Sequence, residues 1–275
     1  MTRRFLGRSW QGAVLMTAVA SMLGTLTTGV AGQAAQATQQ TPRLADGHPD
    51  LNGLWYRRVP PVPPVQQTGG SILVTNVPVN RVPSALDYKA GTPPYKPELV
   101  ARVKELDQNQ VKEDPTLGCA PPGVPRIGPP QRIFQTSRDL AILYEDLNGN
   151  FFRVIPADGR PHRTDIETSA HGDSVAHWEG DTLVIEATNF NEDTWLGDNG
   201  LFHSDKLRVT ERLRRTGDTM TWEATVEDPV VLTGPWKMTP RTLTLLKGVE
   251  IEEAAFCEDR DLSRMKDLTH HGNTR

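Results

Sequence analysis

The densest group of residues able to do chemistry is Asp158-Gly159-Arg160-Pro161-His162-Arg163-Thr164-Asp165-Ile166-Glu167. It sets one imidazole among carboxylates and guanidiniums. His162 suits a general base, with Asp165 or Glu167 orienting the ring. Arg160 or Arg163 would hold a carboxylate on the substrate. The competing reading is an Asp-Gly turn that carries solvated charges. A second group, residues 195–204, supplies Trp195, Asp198, His203 and Ser204. Trp195 would wall a pocket, and His203 would either line that pocket or bond the backbone. Glu211 is the third candidate. It shares one side of an alternating strand with Leu207, Val209 and Leu213, which turns it inward, either as the ion-pair partner of Arg153 or Arg212 or as a working carboxylate.

Other chemistries find no matching pattern. Ser174 follows Gly-Asp and lacks the Gly-x-Ser-x-Gly elbow of a hydrolase nucleophile. There is no P-loop, dinucleotide fingerprint or haem motif, so no cofactor is expected. His162, His171 and His203 lack the i, i+2 or i, i+4 spacing of paired ligands, so no metal is expected. Trp55, Trp178, Trp195, Trp222 and Trp236 would mostly fill a core. In a barrel wide enough to keep a cavity, Trp178, Trp195 and Trp222 would instead face a small apolar or aromatic ligand.

The elements that must position these groups are short strands. Alternating runs fall near 132–136, 140–145, 151–156, 174–178, 182–190, 207–215, 220–228, 236–246 and 250–257. Turn chemistry separates them, as at Asn148-Gly149-Asn150, Glu179-Gly180-Asp181 and Thr216-Gly217-Asp218-Thr219. So many antiparallel strands need their edges hidden, which predicts a mainly β fold, a lipocalin-like up-and-down barrel or a strongly curved sheet. In a simple meander the long connections after the third and fifth strands share one rim. His162 and His203 are therefore expected in one pocket, with Trp195 and at least one of Asp165, Glu167 and Glu211.

Residues 1–37 read as a signal peptide, with Arg3, Arg4 and Arg8 ahead of an apolar run and small residues at Ala34 and Ala37. Thr2-Arg3-Arg4-Phe5-Leu6 resembles a twin-arginine signal, but no residue separates the arginines from Phe5, so the Sec route serves equally well. The run is too polar for a good span, and the mature protein is expected in the periplasm or medium with no membrane span. Loss of those three arginines, with no Asp or Glu in residues 1–37, moves the formal charge from -4 to about -7, which disfavours nucleic acid as a partner. Residues 38–118 read as an extended Pro-rich arm with an edge strand near 71–79, a Leu54–Trp55 anchor and one helix over 97–110. Residues 119–258 form the β domain, and 259–275 a polar tail. In an oxidising compartment, Cys119 and Cys257 pair by default, although two buried thiols or one reactive thiol would also fit the sequence.

Three stretches carry a resemblance. They are Leu44-Ala45-Asp46-Gly47-His48-Pro49-Asp50-Leu51-Asn52-Gly53-Leu54-Trp55, Cys119-Ala120-Pro121-Pro122-Gly123-Val124-Pro125-Arg126, and the hairpin with Trp178-Glu179-Gly180-Asp181-Thr182-Leu183. Shorter matches such as Thr194-Trp195-Leu196, Pro235-Trp236 and Phe256-Cys257-Glu258 extend it along nearly the whole mature chain. Together they resemble a large, mostly uncharacterised family of exported soil-bacterial proteins. The resemblance implies export and assigns no role to His171 or His177. A site of His, Asp, Glu and Arg without nucleophile or metal suits a lyase, decarboxylase or isomerase acting on a small apolar or aromatic compound. The alternative from another class is a periplasmic binding or carrier protein with the same cavity.

Overall fold

Glycines at tight reversals decide the route of the chain. Gly149, Gly180 and Gly217 take positive φ between strands that would otherwise run on. They create the hairpins β5 (Asp139–Asp146) to β6 (Gly149–Pro156), β7 (Asp173–Glu179) to β8 (Thr182–Thr188), and β9 (Arg208–Thr216) to β10 (Thr219–Glu227). The remaining strands are β1 (Gly53–Arg57), β4 (Arg132–Gln135), β11 (Trp236–Lys237) and β12 (Arg241–Leu246). A separate two-stranded sheet pairs β2 (Gln66–Thr68) with β3 (Ser71–Leu73). These elements come from a computed structural model, which describes residues 40–57, 66–68, 71–73, 92–254 and 257. The expected signal peptide, much of the Pro-rich arm and the polar tail lie outside the described residues.

The main sheet has the order β6-β5-β4-β1-β12-β10-β9-β8-β7, with β11 beside β10, and it is nearly closed into a barrel. The expected mainly β, antiparallel class therefore holds. Inward residues alternate as the pleat requires: Leu183, Ile185 and Ala187 on β8 lie opposite Leu213, Glu211 and Val209 on β9. Ile133, Leu140, Ile142, Tyr144 and Trp222 complete the packed centre.

Four expectations need correction. Leu54 and Trp55 are indeed buried, at 5% and 0% exposure, but they belong to β1, a central strand between β4 and β12. Residues 53–57 of the arm are thus part of the sheet. Ser71–Leu73 pairs with β2 and not with the barrel edge. The 236–246 run breaks at Met238-Thr239-Pro240 into β11 and β12, since Pro240 cannot donate to a ladder. Residues 250–254 carry no strand, so the Cys119–Cys257 disulfide, with Cα atoms 5.5 Å apart, ties the Pro-rich loop to a segment beyond the last strand.

β1 has a larger consequence. All neighbouring pairs along the path are antiparallel, and the path contains nine strands. An odd circuit cannot alternate all the way round, so β6 and β7 run in the same direction where they face each other. Among the described residues these two strands share no hydrogen-bonded ladder. This is the seam of the barrel. The connection 157–172 must cross from one rim to the other along its outside.

The helix starts with a 3-10 turn, Pro97–Leu99, and continues as α1 (Val100–Gln108), followed by the short α2 (Gln110–Glu113). Its inward face is Val103 and Leu106. They meet Gly200, whose φ is +75° and where a Cβ would lie 2.4 Å from the Val103 carbonyl oxygen. No helix among the described residues is long and apolar enough to cross a membrane.

Candidate functional site

The connection 157–172 leaves β6 at the rim that carries the β7–β8 and β9–β10 turns, called here the hairpin rim. It reaches β7 at the opposite, loop rim. On the way, the Gly159 amide donates to the Ala176 carbonyl at 3.3 Å, which lays residues 158–163 along the seam. Gly172 makes the entry into β7 possible: its φ is +65°, and a Cβ there would lie 2.4 Å from the Thr188 carbonyl oxygen.

This route brings His162 and Arg163 onto Asp173, the first residue of β7. His162 Nδ1 donates to Asp173 Oδ2 at 2.9 Å, Arg163 Nε donates to Oδ1 at 3.0 Å, and the Arg163 amide donates to Oδ2 at 3.1 Å. Burial pushes the Asp173 carboxyl up, but the hydrogen bonds from His162 and Arg163 outweigh it and hold it below its ordinary value. The other ring nitrogen, His162 Nε2, is buried without a hydrogen-bond partner. A groove of about 340 Å³ runs alongside, lined by Asp139, Val154, Arg160, Arg163, Asp173 and Ser174 among others. Arg160 is exposed and paired with Asp158 at 2.7 Å.

Behind Asp173, inside the barrel, lies a second polar group. Arg153 on β6 is 4% exposed, Glu211 on β9 is 0% exposed, and Arg153 Nη1 stands 2.6 Å from Glu211 Oε2. That approach is a buried ion pair. The other carboxylate oxygen accepts from Trp222 Nε1 at 2.9 Å. Arg153 also donates to the Tyr144 hydroxyl at 3.2 Å and to Ser174 Oγ at 2.9 Å. Burial lowers the affinity of Arg153 for its proton, but Glu211 outweighs this and raises it. Burial lifts Tyr144 to about 12. His171, just before β7, is lowered to about 4 by burial and by the charge on Arg153; its Nε2 also lacks a partner. The inward Glu211–Arg153 pair is one of the two pairings its strand position allowed.

His162 and His203 bond different partners, and neither lines the groove beside Asp173. His203 is 4% exposed and committed to Thr194 Oγ1 at 2.7 Å and the Ser204 carbonyl at 2.9 Å. Burial lowers its pKa, against the opposing bond to Ser204. Each ring is taken up by its own neighbours, His162 by Asp173 at the start of β7 and His203 by Thr194 and Ser204. Asp165 and Glu167 are exposed, and neither bonds His162. Asp173 makes the bond to His162 expected of them; it stands just ahead of the expected 174–178 run, eleven positions from His162. Trp195 is buried and lies under the Arg126 guanidinium, 6.0 Å from the ring centroid. Trp178 stacks on His48 and faces no groove described here.

Trp222 does line a cavity. At the loop rim a cleft of about 580 Å³ is formed by Trp222, Leu196, Met238, Arg241, Arg126 and Asp114, with further loop residues. Arg126 is held by Asp114 at 2.6 Å and by Asp198 at 2.9 Å. Among the described residues no group of three or more His, Cys, Asp or Glu side chains is placed to hold a metal ion. Comparison with protein-family models, with curated proteins and with solved structures returned no match.

Proposed function

We propose that the protein is an exported enzyme of the uncharacterised soil-bacterial type it resembles, doing acid–base chemistry without a cofactor on a small aromatic acid. The single observation that carries this reading is the His162–Asp173 pair: an imidazole oriented through Nδ1 by a buried carboxylate, with Nε2 left without a partner. In this reading His162 Nε2 takes a proton from one substrate carbon and returns it to another in an isomerisation, passes it to the departing group in an elimination, or gives it to the carbon that loses CO2 in a decarboxylation. Arg163 and Arg160 line the adjoining groove and hold the substrate carboxylate. Export is supported by the leader-like residues 1–37 and is compatible with the disulfide.

The test is a screen of aromatic carboxylic acids against the mature protein, with His162→Ala and Asp173→Asn in parallel. A general base contributes roughly 10²- to 10⁴-fold, so both variants should lose at least about 100-fold in turnover. Unchanged turnover in His162→Ala sinks the acid–base reading.

A carrier is the second reading, favoured by the loop-rim cleft with its Trp222 floor and Arg241. It requires binding without turnover by any variant. Arg241→Gln and Trp222→Phe would then weaken binding, and His162→Ala would leave it unchanged.

A further inference from the structure

Every other neighbouring pair on the sheet path is tied by a backbone ladder, nine register pairs long between β9 and β10. At the seam, side chains take over. From β6 itself the tie is Arg153, whose guanidinium reaches Tyr144 on β5, Glu211 on β9 and Ser174 on β7. A long side chain normally keeps much rotamer freedom. Here Glu211 anchors it, and Glu211 is in turn fixed by the Trp222 indole.

Ser174 and Asp173 are consecutive on β7, so their side chains leave opposite faces of the strand. Ser174 Oγ accepts from Arg153 inside, while Asp173 accepts from His162 and Arg163 outside. The position of the β7 edge at Ser174 therefore sets where the Asp173 carboxylate stands.

We propose that Arg153, anchored by Glu211, is a positioning residue for the His162–Asp173 pair and acts across the open seam through the Ser174 hydroxyl. This rests on reading that pair as the working dyad. Misplacement by about 1 Å is enough to cost on the order of 100-fold in a preorganised site.

Ser174→Ala tests it with the smallest perturbation, since only the acceptor on β7 is removed. The readouts are the long-range ¹H–¹⁵N signals of the His162 ring and amide exchange at residues 173–176, both on the mature protein. Ser174→Ala should shift the Nδ1 resonance bonded to Asp173 and speed exchange at 173–176 at least tenfold, with residues 183–187 unchanged. Ser174→Thr, which keeps a hydroxyl, should restore both. Glu211→Gln, which retains an acceptor for Trp222 and drops the charge, should shift the same resonance. A Ser174→Ala protein that loses thermal stability but keeps the His162 signal and the exchange pattern overturns the proposal, as does failure of Ser174→Thr to restore them. If Ser174→Ala moves the His162 signal while Asp173→Asn keeps full turnover, the positioning stands and the catalytic reading falls.

Discussion

The hairpin rim and the seam are built from the same residue types and end in opposite states. At the hairpin rim, Arg43 grips Asp181 with two hydrogen bonds of 2.8 Å, and His48 stacks on Trp178 with ring centroids 4.5 Å apart. Arg215 lies 5.2 Å from the Trp55 ring centroid and bonds the Asp50 carbonyl. The Leu51 amide donates to Gln135 Oε1 at 2.6 Å. Segments 44–55 and 178–183 meet here. Their polar atoms serve to seal one end of the barrel. At the seam the same His, Arg and Asp types leave buried atoms without partners: His162 Nε2, His171 Nε2 and Arg153 Nε. Buried polar groups are normally satisfied, and a cluster of exceptions marks where a structure keeps something other than stability.

The sharpest way to break this comparison is to remove the charge that holds the seam. Glu211→Ala leaves Arg153 buried without a counter-charge and Trp222 without its acceptor, a loss of about 3–5 kcal/mol in unfolding free energy. The double variant Arg153→Met, Glu211→Leu should recover most of it, because a packed apolar pair carries no desolvation cost. Denaturant midpoints measure both. A single-variant loss below about 1 kcal/mol would mean that the seam does not depend on the pair.

The hairpins were legible in the chain because each part of their signal is local. Asn148-Gly149, Gly180-Asp181 and Gly217-Asp218 fix the turns, and alternation on β9 turned Glu211 inward beside Val209 and Leu213. Closure was not legible, because the partners of β1 lie far along the chain: Ile133 is 80 positions beyond Gly53, and Leu243 is 186 beyond Arg57. Without β1 the strands read as a plain meander in which every consecutive pair, β6 and β7 included, is antiparallel, and the seam vanishes. The same omission hid Asp173. Local order offers Asp165 and Glu167 as orienting carboxylates, whereas only the rim-to-rim crossing of 157–172 brings His162 to the start of β7.

A second prediction compares acid sensitivity at the two places. His171 near the seam is lowered from 6.5 to about 4 by burial and by Arg153. The unfolded chain therefore takes up this proton first as pH falls. The contribution is complete above about pH 6.5 and is lost progressively toward pH 4, by roughly 3 kcal/mol at most. His203 is shifted the same way and adds to the slope. Asp173 and Asp114, both lowered, lose their contributions further down, below the ordinary carboxylate range. His171→Gln should flatten the stability profile between pH 6.5 and 4 without moving the steeper fall below it. An unchanged slope in that window would show that His171 is not buried as a neutral ring.

The smallest effect is expected where the geometry looks strongest on paper. Arg43 and Asp181 form a two-point ion pair, yet their side chains are 47% and 49% exposed, and water screens such pairs. The stack of His48 on Trp178 and the buried Leu51 and Trp55 do the sealing, and they do not need that charge. Arg43→Ala should leave the melting temperature nearly unchanged in ordinary buffer, and added salt should not alter the comparison with the parent. Trp178→Ala should lower it clearly, because it removes the ring on which His48 lies. If Arg43→Ala instead melts as early as Trp178→Ala, the hairpin rim is held by charge, and its contrast with the seam lies in exposure rather than in satisfied packing.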